Sequence, residues 1–271
     1  MKILLTGGNG VLGKEFVKYY RSMFDIVSPS QDAMDILDVR SIENVFAKNR
    51  FDAVLHLAGA IDGSDGQNSL VMFKNIQYMS LAHGVKKLIV VGDGAEYGHR
   101  PLVDVTEDMF GEVIPTDGYG LGRYLVSVLA SKDRITTVLR LFEVYGTGLK
   151  NAPINKIVSA AAKGKKTITI ERDMTVSAVS VTDVVKTLAK FLQGNFPKGD
   201  YNLVPNDKMS YVQIAKAAKR LAKADGHDIE IVVKNDGIAD EYSASNDKLV
   251  SAGAKITPMN KGIKELYEDL K

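Results

Sequence analysis

The chain has 271 residues, with 35 basic and 33 acidic side chains, a net charge of +2, 45% hydrophobic residues and no cysteine. That length supports a large core or two joined lobes, and the near-balanced charge gives no global footprint for nucleic acid or an anionic membrane. Disulfide and thiol chemistry are excluded, no apolar run is long enough to span a bilayer, and no export signal is recognisable at Met1–Leu5, so the expected location is the cytoplasm.

The first apolar run, Ile3-Leu4-Leu5-Thr6, breaks into Gly7-Gly8-Asn9-Gly10 and continues as a helical pattern through Val11, Leu12, Gly13, Phe16 and Val17. Gly8, Gly10 and Gly13 fit G-x-G-x-x-G, and Gly7, Gly10 and Gly13 fit G-x-x-G-x-x-G. Glycine permits the sharp turn and a close approach to a pyrophosphate, and the helix N-terminus offers N–H groups to anionic oxygens. The motif carries weight because it follows a strand and opens a helix.

Phe24–Ser28 reads as a second strand. Its end, Ser28-Pro29-Ser30-Gln31, carries neither the acidic residue that holds a ribose 2′-OH nor an Arg for a 2′-phosphate, which leaves NAD and NADP both open. A helix from Ser41 to about Lys48 takes Ser41 as its N-cap. Asp52–Leu57 is a buried strand running into Ala58-Gly59. A helix from Asn68 to His83 stops at Gly84. Lys87–Val91 is another strand, followed by Gly92-Asp93-Gly94-Ala95-Glu96-Tyr97-Gly98, and His99 to Pro115 reads as loop. A helix opens near Tyr119 and runs to Ser131, with Tyr119 and Arg123 on one face. Ile135–Leu139 is a strand ending at Arg140–Gly146.

Further on the pattern gives a helix over Ile154–Lys163, a short strand over Thr167–Ile170 and a helix over Val181–Leu192. A strand at Asp200–Val204, a helix at Tyr211–Ala224, a strand at Asp228–Val233 and two short terminal helices follow. This alternation predicts an α/β fold: a Rossmann-type, doubly wound parallel sheet with a smaller C-terminal lobe. The nucleotide domain is expected over 1–150 plus about 175–203, and the substrate lobe over about 151–174 and 204–271. His56, His83, His99 and His227 have no metal-ligand spacing, so no metal is expected. His56, in an apolar strand, reads as a satisfied core histidine.

These residues resemble an extended short-chain dehydrogenase/reductase of the NAD-dependent epimerase/dehydratase family. Thr6–Gly13 is similar to its TGGxGxxG loop. Asp35-Ile36 matches the pair on the adenine, Leu57-Ala58-Gly59 the backbone beside the cofactor, and Asn75 a supporting helix asparagine. Tyr119 begins its YxxxK, Arg140–Gly146 resembles RxxNVYG, and Gln31–Ala60 looks most like GDP-fucose synthases and dTDP-4-dehydrorhamnose reductases. The resemblance implies an NAD or NADP cofactor held by Thr6, Gly7, Asn9, Gly10, Val11, Leu12, Gly13, Asp35, Ile36, Leu57, Ala58, Gly59, Asn75, Tyr119 and Arg123. It also implies a sugar or nucleotide-sugar substrate, epimerisation or 4-keto-sugar reduction, and a homodimer.

The departures fall at the chemistry: Asp93 replaces a Ser or Thr, Arg123 the Lys, and Glu143 the Asn. By this resemblance Tyr119, Arg123 and Asp93 are the catalytic candidates, and Asp93 and Glu143 the substrate contacts. Two arrangements stay open. Asp93 and Arg123 pair, leaving Tyr119 a protonated acid, or a desolvated Asp93 is itself the acid/base. A rival reading is a catalytically degenerate dinucleotide-binding sensor or scaffold.

Overall fold

The computed structural model describes residues 1–59, 66–98, 101–194 and 196–271, with backbone alone at 66–67 and 236–239. In chain order come β1 (Lys2–Thr6), α1 (Val11–Tyr20), β2 (Asp25–Val27), α2 (Val39–Phe46), β3 (Ala53–His56), α3 (Gly66–Ala82), β4 (Lys87–Asp93), β5 (Leu102–Val105), α4 (Gly118–Ala130) and β6 (Thr136–Leu141). There follow β7 (Glu143–Tyr145), α5 (Pro153–Ala162), β8 (Thr167–Val176), β9 (Ala178–Ser180), α6 (Val181–Gln193), β10 (Asp200–Asn202), β11 (Met209–Ser210), α7 (Tyr211–Ala224), β12 (Glu230–Ala244), α8 (Asp247–Ser251) and α9 (Met259–Leu270). The chain divides into two compact units: Met1–His99, Glu107–Leu141 and Val184–Asn202, and then Arg100–Thr106, Phe142–Asp183 and Leu203–Lys271.

The first unit is built on a six-stranded sheet in the order β10-β6-β4-β3-β1-β2, every pair parallel. β3 and β6 are buried at every residue, as strands covered on both faces must be. One face packs Leu4, Val54, Leu88, Val90 and Val138 against Ile42 and Phe46 of α2, Phe73, Ile76 and Met79 of α3, and Val126 and Ala130 of α4. From β1 the chain steps to β2 on one side and then to β3 on the other. The sheet therefore reverses at β1, and the crevice at the carboxyl ends of β1 and β3 is where such folds hold ligands.

In the second unit a four-stranded sheet runs β11-β8-β12-β5, with β7 and β9 as a separate parallel pair. Helices α5, α7 and α9 pack on one another. Among the described residues no helix is long and apolar enough to cross a membrane, and no group of three His, Asp or Glu side chains could hold a metal.

The fold corrects four local expectations. The cap of α2 is Asp38, whose carboxylate accepts from Arg40 N, while Ser41 Oγ accepts from Asp35 N at 2.9 Å. The 99–115 segment is not all loop: Leu102–Val105 pairs with β12, although His99 and Arg100 lie outside the described residues. β8 and β12 run well past Thr167–Ile170 and Asp228–Val233, because they pair with each other across a register shift between Asn235 and Asp240. Their polar outward residues, such as Glu171, Arg172 and Glu241, hid them, since partnering rather than propensity makes these strands. β7 and β9 went unseen for the same reason.

Candidate active site

The glycine loop is shaped by contact, not only by turning. Gly7 has φ +72°, and a Cβ there would lie 2.6 Å from Ala58 N and 2.7 Å from the Leu57 carbonyl carbon. A Cβ on Gly13 would overlap Gly7 O and Gly8 Cα, so α1 can lie against the loop only with glycine at this position. Gly10 N donates to Gly7 O at 3.0 Å, and Gly10 caps α1 without a side chain. No capping side chain covers the helix N-terminus beside the exposed Asn9 and ahead of Val11 and Leu12. This is a cradle with an anion-binding end, and it fits a dinucleotide pyrophosphate.

Thr6 ties the loop to the strand beside it. Its Oγ1 shares a 2.7 Å hydrogen bond with His56 Nδ1 and accepts from Ala58 N at 3.4 Å. Burial, then the nearby Arg123 charge, pulls the His56 pKa down to about 3, so the ring is neutral, a satisfied core histidine. Leu57, Ala58 and Gly59 follow directly at the end of β3. Asp35 Oδ1 accepts from Leu37 N at 2.9 Å, and Asn75 Nδ2 donates to the carbonyls of Ile36 and Leu37 at 3.1 and 3.2 Å. The asparagine of α3 thus fixes the segment carrying Asp35 and Ile36.

Asp93, Tyr119 and Arg123 come together at the carboxyl end of β4. Asp93 opens a 3-10 turn (Gly94–Tyr97), and its Oδ1 accepts from Ala95 N at 2.8 Å. Its other oxygen, Oδ2, accepts from the Tyr119 hydroxyl at 2.9 Å. The carboxylate is a turn-former on one oxygen and a phenol partner on the other. Tyr119 stands in the first turn of α4, whose cap Asp117 accepts from Gly120 N at 2.8 Å. A Cβ on Gly120 would crowd Pro115 Cβ at 2.9 Å and Ala95 O at 3.1 Å, so glycine lets this helix end approach the turn. Burial and the Asp93 charge push the Tyr119 pKa well above its usual 10, against the opposing pull of Arg123. The phenol is protonated at neutral pH.

Arg123 is 3% exposed. Its Nη2 donates to Val91 O and its Nη1 to Gly59 O at 3.5 Å, while Nε is buried with no hydrogen-bond partner among the described residues. An orphaned donor on a buried cation beside the cofactor cradle is consistent with a polar ligand completing its shell.

Beneath this group lies a buried ionic cluster. Glu96 accepts from Asp93 N at 2.8 Å, from Arg140 Nε at 2.7 Å and from Ser127 Oγ. Arg140 also donates to Asp200 and lies 4.3 Å over the Phe110 ring. Glu96 thereby fixes the backbone of Asp93. Neither Glu96 nor Arg140 was singled out for this role from the sequence. The available signal was a Glu and an Arg in segments otherwise reading as core. Glu143 lies in β7 of the second unit, half-buried, its N–H directed at Ser177 O.

A model of the family described as "NAD dependent epimerase/dehydratase family" matches residues 3–203. The chain belongs to that family. Among relatives of this epimerase/dehydratase chain, UDP-arabinose 4-epimerase 1 of Arabidopsis thaliana is 28% identical over 73% of the chain and 55% of the relative. The chain thus spans just over half the length of that relative. GDP-6-deoxy-D-talose 4-dehydrogenase of Aggregatibacter actinomycetemcomitans is 25% identical over 85% of the chain and 82% of the relative. The solved dTDP-4-dehydrorhamnose reductase of Bacillus anthracis, in complex with NADP, superposes with a TM-score of 0.82 at 16% identity, covering 100% of this chain and 99% of its own. That last likeness is one of fold.

Proposed function

We propose that this chain is an NAD(P)-dependent oxidoreductase that interconverts a hydroxyl and a ketone on the sugar of a nucleotide sugar, by epimerisation or 4-keto-sugar reduction. Family membership supports the reaction class, and the two named relatives act at the 4 position of nucleotide-linked sugars. The observation that carries the reading is the Tyr119 hydroxyl donating to Asp93 Oδ2 at 2.9 Å. The residues from Thr6 to Gly13, with Leu57–Gly59, Asp35, Ile36, Asn75 and Arg123, would hold the dinucleotide. When bound, it supplies the site with hydride acceptance and donation.

The chain's own residues then manage one proton. With its phenol held neutral, Tyr119 cannot serve alone as a base. It accepts a proton from the substrate hydroxyl as it passes its own to Asp93. In the reductive direction Asp93 returns the proton to Tyr119, which protonates the ketone oxygen. The two groups work as a pair rather than as a lone tyrosine. Arg123 keeps a positive charge beside the phenol, which favours any developing phenolate. It stays protonated throughout, so it takes no part in the relay.

The test is calorimetric titration with NAD, NADH, NADP and NADPH, with Gly10→Trp as the blocked-loop control. Nicotinamide absorbance is then followed with nucleotide-linked 4-hydroxy and 4-keto sugars. Tyr119→Phe is expected to reduce turnover about 10²–10⁴-fold. Absence of binding by all four dinucleotides sinks the proposal. A second reading, a dinucleotide-binding sensor without turnover, draws on Arg123 being occupied by the Val91 and Gly59 carbonyls. Tight binding of one dinucleotide, with no turnover of any sugar tested, would select it.

A further inference from the structure

The second unit carries an open, strongly basic groove of about 710 Å³, lined by Asp207, Lys208, Lys216, Lys219, Arg220 and Lys223 among others. We infer that this groove is a binding site for a short chain of linked phosphates. It is built wholly from residues 207–260, whereas Asp93, Tyr119 and Arg123 all belong to the first unit, so the inference does not rest on the reading of that site.

Helix α7 supplies the charge. Lys216, Lys219, Arg220 and Lys223 fall at i, i+3, i+4 and i+7, one face of the helix. Their spacing creates two like-charge pairs at i, i+4 (216 with 220, 219 with 223) and two at i, i+3, each unfavourable to the isolated helix. No acidic residue lies within Tyr211–Ala224 to offset them. Beyond its end, Asp225 is engaged by Lys271 at 2.8 Å and by the Tyr267 hydroxyl at 2.7 Å. None of the four cations has an ion-pair partner among the described residues. Some helices carry their own compensation, as Lys18 with Glu15 in α1 and Lys261 with Glu265 in α9; α7 has no acid with which to do so. In a chain with almost as many acids as bases, an uncompensated face is a local arrangement.

The face is also held in place. Ser210 and Gln213 form a capping box at the start of α7, and Ile214, Ala215, Ala218 and Ala222 are buried on its opposite side. At the groove's other wall, Lys208 is anchored by Asp104 at 2.7 Å and Glu241 at 2.6 Å. Both oxygens of Asp207, the one acid of the lining, accept from Met259 N at 2.9 and 3.0 Å. That leaves the α7 cations as the unspent charge.

Shape and chemistry choose the ligand class. A membrane surface would be met by exposed apolar residues among the cations, but Met209, the one apolar side chain of this lining, is buried. The four cations extend over roughly 10 Å of helix, too short for a long nucleic-acid track. A linked phosphate chain fits the length and the charge. The guanidinium of Arg220 can take phosphate oxygens in a fork, and the lysines serve as point charges.

The test titrates the full chain with inorganic tripolyphosphate by calorimetry, in parallel with orthophosphate, ATP, an RNA oligonucleotide and vesicles containing anionic lipid. ATP is titrated into the Gly10→Trp protein, so that the glycine loop does not answer for the groove. Saturable tripolyphosphate binding is expected, at least tenfold weaker in Lys219→Gln/Arg220→Gln and in Lys216→Gln/Lys223→Gln, with both variants melting no lower than the parent because each relieves the like-charge pairs of α7. Orthophosphate should bind at least tenfold more weakly than tripolyphosphate. If ATP matches tripolyphosphate, the phosphates alone are recognised. If ATP binds more tightly and is lost in the same variants, the source is a nucleotide. The inference is overturned if tripolyphosphate binding does not saturate or is unchanged in both variants. It is equally overturned if only RNA or vesicles bind.

Discussion

Arg140 and Arg123 are two arginines buried in the same unit, 1% and 3% exposed, and they are served in opposite ways. Arg140 has two carboxylates, Glu96 and Asp200, and an aromatic ring against its guanidinium. Arg123 has two backbone carbonyls, and its Nε has no hydrogen-bond partner among the described residues. A buried cation held by carboxylates is an architectural element, because removing it strands a buried negative charge. A buried charge with a donor left over is uncommon, and under the proposed function a bound dinucleotide would account for it. Under the proposed function, the contrast separates the pair that holds the site's shape from the residue proposed to face its chemistry.

The comparison can be broken most directly at Arg140. Arg140→Met leaves Glu96 buried without its cation and is expected to cost about 3–5 kcal/mol in chemical denaturation. A loss under ~1 kcal/mol would mean the cluster is not structural. The next effect is an acid one. With His56 held near pKa 3 against an ordinary 6.5, stability is complete above pH 6.5 and falls as pH drops toward 3. By pH 4 the loss reaches up to about 3 kcal/mol, and His56→Asn should flatten that limb in denaturation curves taken at stepped pH. Arg123→Met should weaken dinucleotide binding about tenfold while costing about 1–3 kcal/mol of stability, less than Arg140→Met, because it frees the Val91 and Gly59 carbonyls but strands no buried carboxylate. Equal damage to binding and folding would erase the distinction between the two arginines. The smallest effect is alkaline. The raised Tyr119 pKa means its contribution is complete below pH 10 and is lost as pH rises beyond it. Tyr119→Phe should remove about 1 kcal/mol of the loss seen by pH 11, read as a shift in melting temperature.

The parts of the molecule legible in the sequence are those where local pattern and tertiary role coincide. The run from Ile3 to Val17 shows strand, turn and helix because its glycines and its apolar spacing both speak locally. The buried strands around Val54 and Ile89 are readable as apolar runs for the same reason. Asp93 and Tyr119 stand in sequence segments that announced themselves, but their hydrogen bond joins residues 26 positions apart. The Glu96–Arg140–Asp200 cluster joins residues 44 and 60 positions apart, and no window of sequence contains it. Ser41 and Asp38 are both good caps, and only the fold of the preceding loop, where Ser41 serves Asp35, decides between them. β8 and β12 are strands because each has the other, a fact about partnership that composition does not carry.

The polypeptide changes unit five times, at 99/100, 106/107, 141/142, 183/184 and 202/203. Neither unit is therefore a continuous gene segment, and no single cut yields either one whole. Limited proteolysis should nick the molecule without releasing an autonomous piece. Recombination with a relative at a single crossover would mix two parents within the same core. Exchanging one unit cleanly would require all five junctions to be moved together.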